Sequence, residues 1–269
     1  MKRTGKQTIG GAGFHVEVEG EGPPLILLHG AYCNSSVWDD HIRLLSRSFT
    51  VIRYDQRGHG RSDGVTGLFS HHLDLKAIFD HFGLSRAPLI ASCAGGGIAI
   101  DFALAYPQHV EQLILTAPSL GGMRIPLRAM WESFSDIRRV KRQGIERAGG
   151  LFVRSKYWSH AVPRESLQRA RFKQMYLDNG VHYGGRLGMH RPLFPRAYKR
   201  LGEIRCPVLI VEAGRDSAFN KKVCRYLRRE IPHARLVVME SSGHHPHLEQ
   251  PLEFAAIAMS ALKERMESS

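Results

Sequence analysis

Residues 89–97 read Leu-Ile-Ala-Ser-Cys-Ala-Gly-Gly-Gly, an apolar run that ends in a cysteine and continues through small residues. Such a segment joins a strand to a helix through a turn so tight that only small neighbours fit, and it lifts the side chain at its apex, Cys93, above a sheet edge. A helix beginning at Ala94 would direct its first N–H groups and its positive dipole end at that side chain, an arrangement that suits a nucleophile. The plain alternative is a small buried thiol, the common fate of a free cysteine.

Other loops bear on that choice. His29-Gly30-Ala31 follows an apolar strand, where a backbone N–H can turn toward the space above Cys93 and join the N–H of Ala94 in holding a developing oxyanion. Gly214-Arg215-Asp216 follows a second apolar strand, and Gly243-His244-His245-Pro246-His247 comes shortly after a third. Acid and histidine thus both sit on loops after strands, in the chain order nucleophile, acid, histidine. The three histidines do not suggest a metal site, because consecutive side chains point apart and no matching carboxylate–histidine spacing accompanies them. The run from Tyr54 to Asp63, with Asp55, Arg57, Gly58, His59, Gly60 and Ser62, reads as a structural turn rather than as proton-transfer machinery.

These loops must be held by a sheet. Strands are expected at Phe14–Val18, Leu25–Leu28, Thr50–Tyr54, Ala87–Ala91, Gln112–Thr116, Cys206–Glu212 and Arg235–Met239. Helices are expected near Val37–Ser46, Ser70–Phe82, Ala94–Tyr106, Lys221–Glu230 and Glu249–Met266, the third stopped by Pro107. The alternation predicts an α/β fold around a mostly parallel sheet. It lapses over residues 120–200, which are rich in arginine and aromatics and lack a β-branched run. We therefore divide the chain into an N-terminal core part at 1–119, an inserted helical cap at 120–200 and a C-terminal core part at 201–269. No repeat or low-complexity tract interrupts it.

Composition limits the remaining classes. With 269 residues and 43% hydrophobic content, the chain can fill a core. Its longest uncharged apolar stretch, Leu89–Ile100, is too short and too glycine-rich to span a bilayer. The first twenty residues contain no apolar signal-peptide core, so the chain is read as intracellular and cytoplasmic. Cys33, Cys93, Cys206 and Cys224 are far apart, which argues against a disulfide framework, a zinc ribbon or a redox dithiol. The formal charge is +13, and residues 120–200 carry all of this surplus, with 18 basic against five acidic residues. That middle third is either a solvated helical face or a surface that attracts an anionic substrate or an acidic carrier protein. Nucleic acid is disfavoured, since no binding motif or basic–aromatic pattern accompanies the charge.

Taken together, these motifs resemble the α/β-hydrolase superfamily over nearly the whole chain. The resemblance rests on the His-Gly loop at 29–30, the D-x-R-G-H-G-x-S run at 55–62, the elbow at 91–95, Gly214 to Asp216, and the G-H-x-x-x-x-E-x-P run at 243–251. It implies that Cys93 is the nucleophile, His244 the general base and acid, and Asp216 the carboxylate that orients His244. The N–H groups of Ala31 and Ala94 would form the oxyanion hole, and residues 120–200 would cap the site. Two positions depart from the usual pattern: Ala91 stands for the first glycine of the elbow, and Cys93 for serine. Dienelactone hydrolases are similar in placing Cys-His-Asp on this fold.

A cysteine nucleophile would form a thioester acyl-enzyme, which suits acyl chemistry with water, amines or thiols as acceptors. Hydrolysis of an ester, thioester or lactone comes first, because the implied residues need only water as second substrate. Acyl transfer or ring closure in a biosynthetic pathway through the same intermediate is the alternative, and a non-hydrolytic binding protein is the second. No cofactor is called for. The basic middle third makes an anionic acyl donor plausible, such as an acyl carrier protein conjugate, a coenzyme A thioester or a carboxylate-bearing lactone. Tyr32, Trp131 and Trp158 are the expected substrate-lining aromatics, with packing as the competing role for every aromatic in this region.

Overall fold

A computed structural model describes residues 2–185 and 188–267. Eight strands form one sheet: β1 (Lys2–Ile9), β2 (Ala12–Glu19), β3 (Pro24–Leu28), β4 (Thr50–Tyr54), β5 (Ala87–Ser92), β6 (Val110–Thr116), β7 (Val208–Ala213) and β8 (Arg235–Met239). Their spatial order is β1-β2-β4-β3-β5-β6-β7-β8. The pairs β1/β2 and β2/β4 are antiparallel, and every other pairing is parallel. The helices are α1 (Asp39–Leu45), α2 (His71–His81), α3 (Ala94–Ala105), α4 (Leu127–Gln143), α5 (Ile145–Phe152), α6 (Ser166–Asp178), α7 (Gly180–Gly184), α8 (Ala218–Glu230), α9 (Pro246–Glu249) and α10 (Pro251–Glu267).

The two-residue period of the strands sorts their side chains between two cores. Ile26 and Leu28 of β3 face the layer of α2, α3 and α8, where Phe79, Phe102 and Leu227 are buried. Leu25 and Leu27 face the other layer, against α1 and α10, with Trp38 and Phe254. Both faces of the parallel strands are therefore covered, which explains why they read as continuous apolar runs.

Five of the expected helices and seven of the expected strands are present, with ends displaced for local reasons. The strand expected from Cys206 starts at Val208, after Pro207, which has no N–H to give a ladder. The helix expected from Lys221 starts at Ala218, because the Ser217 hydroxyl caps it by accepting the Asn220 N–H. The last helix is divided at Gln250, whose non-helical backbone (φ −133°, ψ 63°) precedes Pro251. Strand β1 was not anticipated: its side chains are mostly exposed and polar, and its eight backbone pairs with β2 hold it at the edge of the sheet. Among the described residues between β6 and β7, four helices and several single turns occur. No helix among the described residues is long and apolar enough to cross a membrane.

Candidate active site

Strand β5 stops at Ser92 and α3 starts at Ala94, which leaves Cys93 to make the whole change of direction at φ 47° and ψ −115°. A non-glycine residue at positive φ costs about 1–3 kcal/mol, so its surroundings must enforce it. The Cys93 N–H donates to the Thr116 carbonyl at 3.0 Å, and its carbonyl accepts the Ser119 N–H at 2.8 Å. The turn is thus fastened to the end of β6. Close approach of the backbone explains Gly95, where a Cβ would lie 2.6 Å from the His29 carbonyl oxygen. Alanine in place of glycine at position 91 is accommodated as an ordinary buried strand residue.

The loop after β3 passes over this turn. His29 is fully buried and fixed in one tautomer: its Nε2 accepts the Gln56 N–H at 2.9 Å, so Nδ1 carries the hydrogen and donates to the Gly30 carbonyl at 2.8 Å. The backbone N–H groups of Ala31 and Ala94 both act on the Cys93 sulfur and favour its thiolate. Two N–H donors, one at the start of a twelve-residue helix, therefore converge on the thiol.

Asp216 lies just beyond β7, and His244 lies in the loop after β8. Their side chains meet: His244 Nδ1 donates to Asp216 Oδ2 at 2.7 Å, which leaves Nε2 as the ring nitrogen available to Cys93. The other Asp216 oxygen accepts the Ser217 N–H at 2.7 Å and Asn220 Nδ2 at 2.8 Å. Burial opposes charge on all three groups, and their mutual arrangement outweighs it. Burial would push the Cys93 thiol up, yet the His244 charge, its hydrogen bond and the Ala31 and Ala94 N–H groups bring it below its ordinary value. Burial would likewise lower His244, while Asp216 and Cys93 raise it well above the usual imidazole value. Asp216 is held below the ordinary carboxylate range by His244, Asn220 and Ser217. The site favours thiolate, imidazolium and carboxylate in a row.

The other thiols behave differently. Burial pushes Cys206 up to about 11, and Cys33 and Cys224 are raised further. Cys33 is thus a buried loop residue whose thiolate is disfavoured, despite its position on the loop after β3. Of the neighbouring histidines, His247 stacks on Trp38 at 4.5 Å in the core, whereas His245 packs between Phe172 and the His244 ring, 5.0 Å from each, and borders the cavity in front of Cys93.

Cys93 and His244 open onto a cavity of about 360 Å³. Tyr32 and Trp158 line it, and Tyr32 packs at 4.7 Å on Phe152 and at 5.7 Å on Trp158. Trp131 does not line it: it is 66% exposed on the solvent side of α4, beside Leu127, Met130 and Phe134, which corrects the expectation for that residue. The same helix turns Ala129 and Ser133 toward the cavity. Tyr176 and Tyr183 serve packing, and both donate to the buried Asp136, at 2.9 and 3.1 Å. Two residues of the site escaped sequence reasoning. Asn220 could have been sought from its position one helical turn after Asp216. His160, whose carbonyl accepts the His244 N–H at 2.8 Å and whose side chain lines the cavity, belongs to the helical segment and carries no local signal.

The run at 55–62 holds shape, as expected. Asp55 accepts the Ser35 N–H at 2.8 Å and the Arg61 N–H at 2.9 Å, and Arg57 pairs with Asp74 at 2.6 Å.

A strand-end turn carrying a thiol, an acid and a histidine on later loops, and a sheet of this order define an enzyme of the α/β-hydrolase type. The model of the alpha/beta hydrolase fold family matches residues 23–251, and the chain belongs to that family. A putative 2-succinyl-6-hydroxy-2,4-cyclohexadiene-1-carboxylate synthase of Bacillus subtilis is 27% identical over 91% of this chain and 93% of its own length. A pimeloyl-(acyl-carrier protein) methyl ester esterase of Nitrosomonas europaea is 28% identical over 91% of this chain and 98% of its own. Among solved structures, the enol-lactonase of Burkholderia xenovorans LB400 shares the fold, with a TM-score of 0.79 and 19% identity over 96% of this chain and 100% of that one.

Proposed function

We propose that this protein hydrolyses an ester, thioester or lactone through a covalent acyl-cysteine. The observation that carries the reading is the His244–Asp216 hydrogen bond at 2.7 Å beside the positive-φ turn of Cys93, which sets this thiol apart: the site favours its thiolate, whereas burial disfavours the thiolates of the other three. Cys93 Sγ attacks the substrate carbonyl carbon, and the carbonyl oxygen takes up the negative charge against the N–H groups of Ala31 and Ala94. Collapse of this adduct breaks the bond to the leaving oxygen or sulfur, which receives the proton from His244 Nε2. In the second half, His244 Nε2 takes a proton from water as the oxygen attacks the thioester carbon. The acid product leaves, and Cys93 departs as thiolate. Asp216 holds the ring and stabilises its charge throughout.

The helices between β6 and β7, within residues 120–200, act in this reading as a cap, since Ala129, Ser133 and Trp158 supply cavity wall above Cys93. The basic surplus of that segment suits an anionic or carrier-bound acyl donor, which is also what the name of the Nitrosomonas relative describes for that protein. The nucleophile type favours a second reading. An acyl-cysteine is a thioester and passes readily to an amine or thiol, so acyl transfer or cyclisation would use the same residues.

The test is intact-protein mass spectrometry after mixing with acyl thioesters, aryl esters and lactones, with Cys93→Ala in parallel. An adduct lost in the variant is expected, and products with water against amine acceptors separate hydrolysis from transfer. Turnover fully retained by Cys93→Ala would overturn the assignment.

A further inference from the structure

Next to the reactive cavity lies a larger cleft of about 1200 Å³, formed between α8 and residues 122–127. Arg124, Lys221, Lys222, Arg225 and Arg229 line it, and no carboxylate does. Three of these cations, Lys221, Arg225 and Arg229, recur every four residues and so share one face of α8. Arg225 and Arg229 are paired with Glu212 and Glu230, at 3.0 and 2.7 Å, whereas Arg124 and Lys222 have no ion-pair partner among the described residues. At the same cleft, Tyr198 and Tyr226 stack at 4.9 Å with planes 9° apart, and Tyr198 is 37% exposed. The cleft and the reactive cavity share four wall residues, Met123, Ile125, Pro126 and Phe219.

A concave site with convergent cations, an exposed aromatic and an adjoining apolar wall fits a phosphorylated nucleotide carried on a flexible arm. Cations meet the phosphates, the aromatic offers a face to a base, and the apolar wall lies between the handle and the reacting end. An acidic carrier protein would bring a convex surface that leaves such a cleft unfilled. We propose that the cleft between α8 and residues 122–127 binds the nucleotide handle of a coenzyme A-type thioester, with the arm crossing the shared wall so that the acyl carbonyl reaches Cys93. The proposal rests on the reading of Cys93 as acyl acceptor, and its binding half can be tested without turnover.

Coenzyme A and adenosine 3′,5′-bisphosphate are titrated calorimetrically into Cys93→Ala protein, and into the same protein carrying Arg124→Ala and Lys222→Ala. Both probes are expected to bind, the added substitutions to weaken binding about ten-fold or more, and the charge-keeping pair Arg124→Lys and Lys222→Arg to restore it. On the Cys93 background, Arg124→Ala with Lys222→Ala should lower the ratio of kcat/KM for an acyl-coenzyme A to that for the same acyl group on N-acetylcysteamine by a similar factor. Absence of coenzyme A binding, equal binding by both proteins, or competition by an acidic acyl carrier protein where the bisphosphate fails would overturn the proposal. Binding lost in the variant but no turnover of either thioester would uphold the cleft and refute the catalytic reading. Turnover of the N-acetylcysteamine thioester without coenzyme A binding would do the reverse.

Discussion

Asn220 lies one helical turn beyond Asp216 and donates from Nδ2 to Asp216 Oδ1 at 2.8 Å, while His244 holds the other carboxylate oxygen. The same nitrogen stands 3.1 Å from His244 Nδ1, but that ring nitrogen carries the hydrogen given to Asp216 and has no lone pair to accept with. The amide therefore acts on His244 through Asp216, as a positioning residue. Asn220→Ala is expected to lower kcat/KM about three- to ten-fold, with Asn220→Asp failing to rescue because it puts a second carboxylate beside the first. A variant as fast as the parent in steady-state kinetics would remove Asn220 from the site.

The charge state of Cys93 is open to a reagent test. Alkylation by iodoacetamide should persist as pH falls below the range in which a free thiol protonates, because Cys93 lies below its ordinary pKa. Asp216→Asn removes the charge that raises His244, so the imidazolium weakens its hold on the thiolate and the inflection moves toward higher pH. Rates that follow free cysteine in both proteins would contradict this account.

Trp131 and Trp158 are expected to separate cleanly. Trp158→Ala removes cavity wall that stacks on Phe152 at 5.5 Å, and should reduce kcat/KM about ten-fold, the scale of a lost aromatic contact. Trp131→Ala, on the solvent side of α4, should leave kcat/KM for a small aryl ester near the parent value. An equal loss in both variants would place Trp131 back at the cavity.

Stability offers a test remote from the chemistry. Burial pushes the carboxyl of Asp101 in α3 up to about 6, and its Oδ1 lacks a hydrogen-bond partner among the described residues. The folded state then binds the proton more tightly than the unfolded one. Stability is highest while the group is protonated in both states, and it falls as pH rises from its ordinary range to about 6, where the loss is complete. Asp101→Asn should raise unfolding free energy by about 1–3 kcal/mol above that range and by little well below it. Denaturant melts at two pH values measure the difference, and a stabilisation independent of pH would argue for another cause.

The sequence made legible what is local. The turn at Cys93 depends on its own small residues, and the loops of Asp216 and His244 follow strands whose apolar runs reflect burial on both faces of the sheet. What escaped depends on tertiary context. Strand β1 buries almost no side chain until Ile9, so no periodicity marks it. Helix α4 has apolar residues on its outer face and small ones toward the cavity. A large aromatic such as Trp131 therefore misleads, because the cavity needs room that Ala129 and Ser133 leave. Segment charge misled in the same way: residues 201–269 balance ten basic against nine acidic residues, yet α8 gathers its cations along one face.

The order of these parts along the chain has a consequence for synthesis. The turn bearing Cys93 is complete once β5, β6 and α3 have formed, but Asp216 and His244 follow β7 and β8, the last strands to be made. A domain folds as a unit, and its N-terminal parts leave the ribosome first. With Cys93 read as the nucleophile, a nascent or C-terminally truncated chain lacks His244, whose charge brings the thiol below its ordinary value, and the thiolate is favoured only once the final strands dock. On that reading, reactivity at Cys93 is a signal that the molecule has been finished.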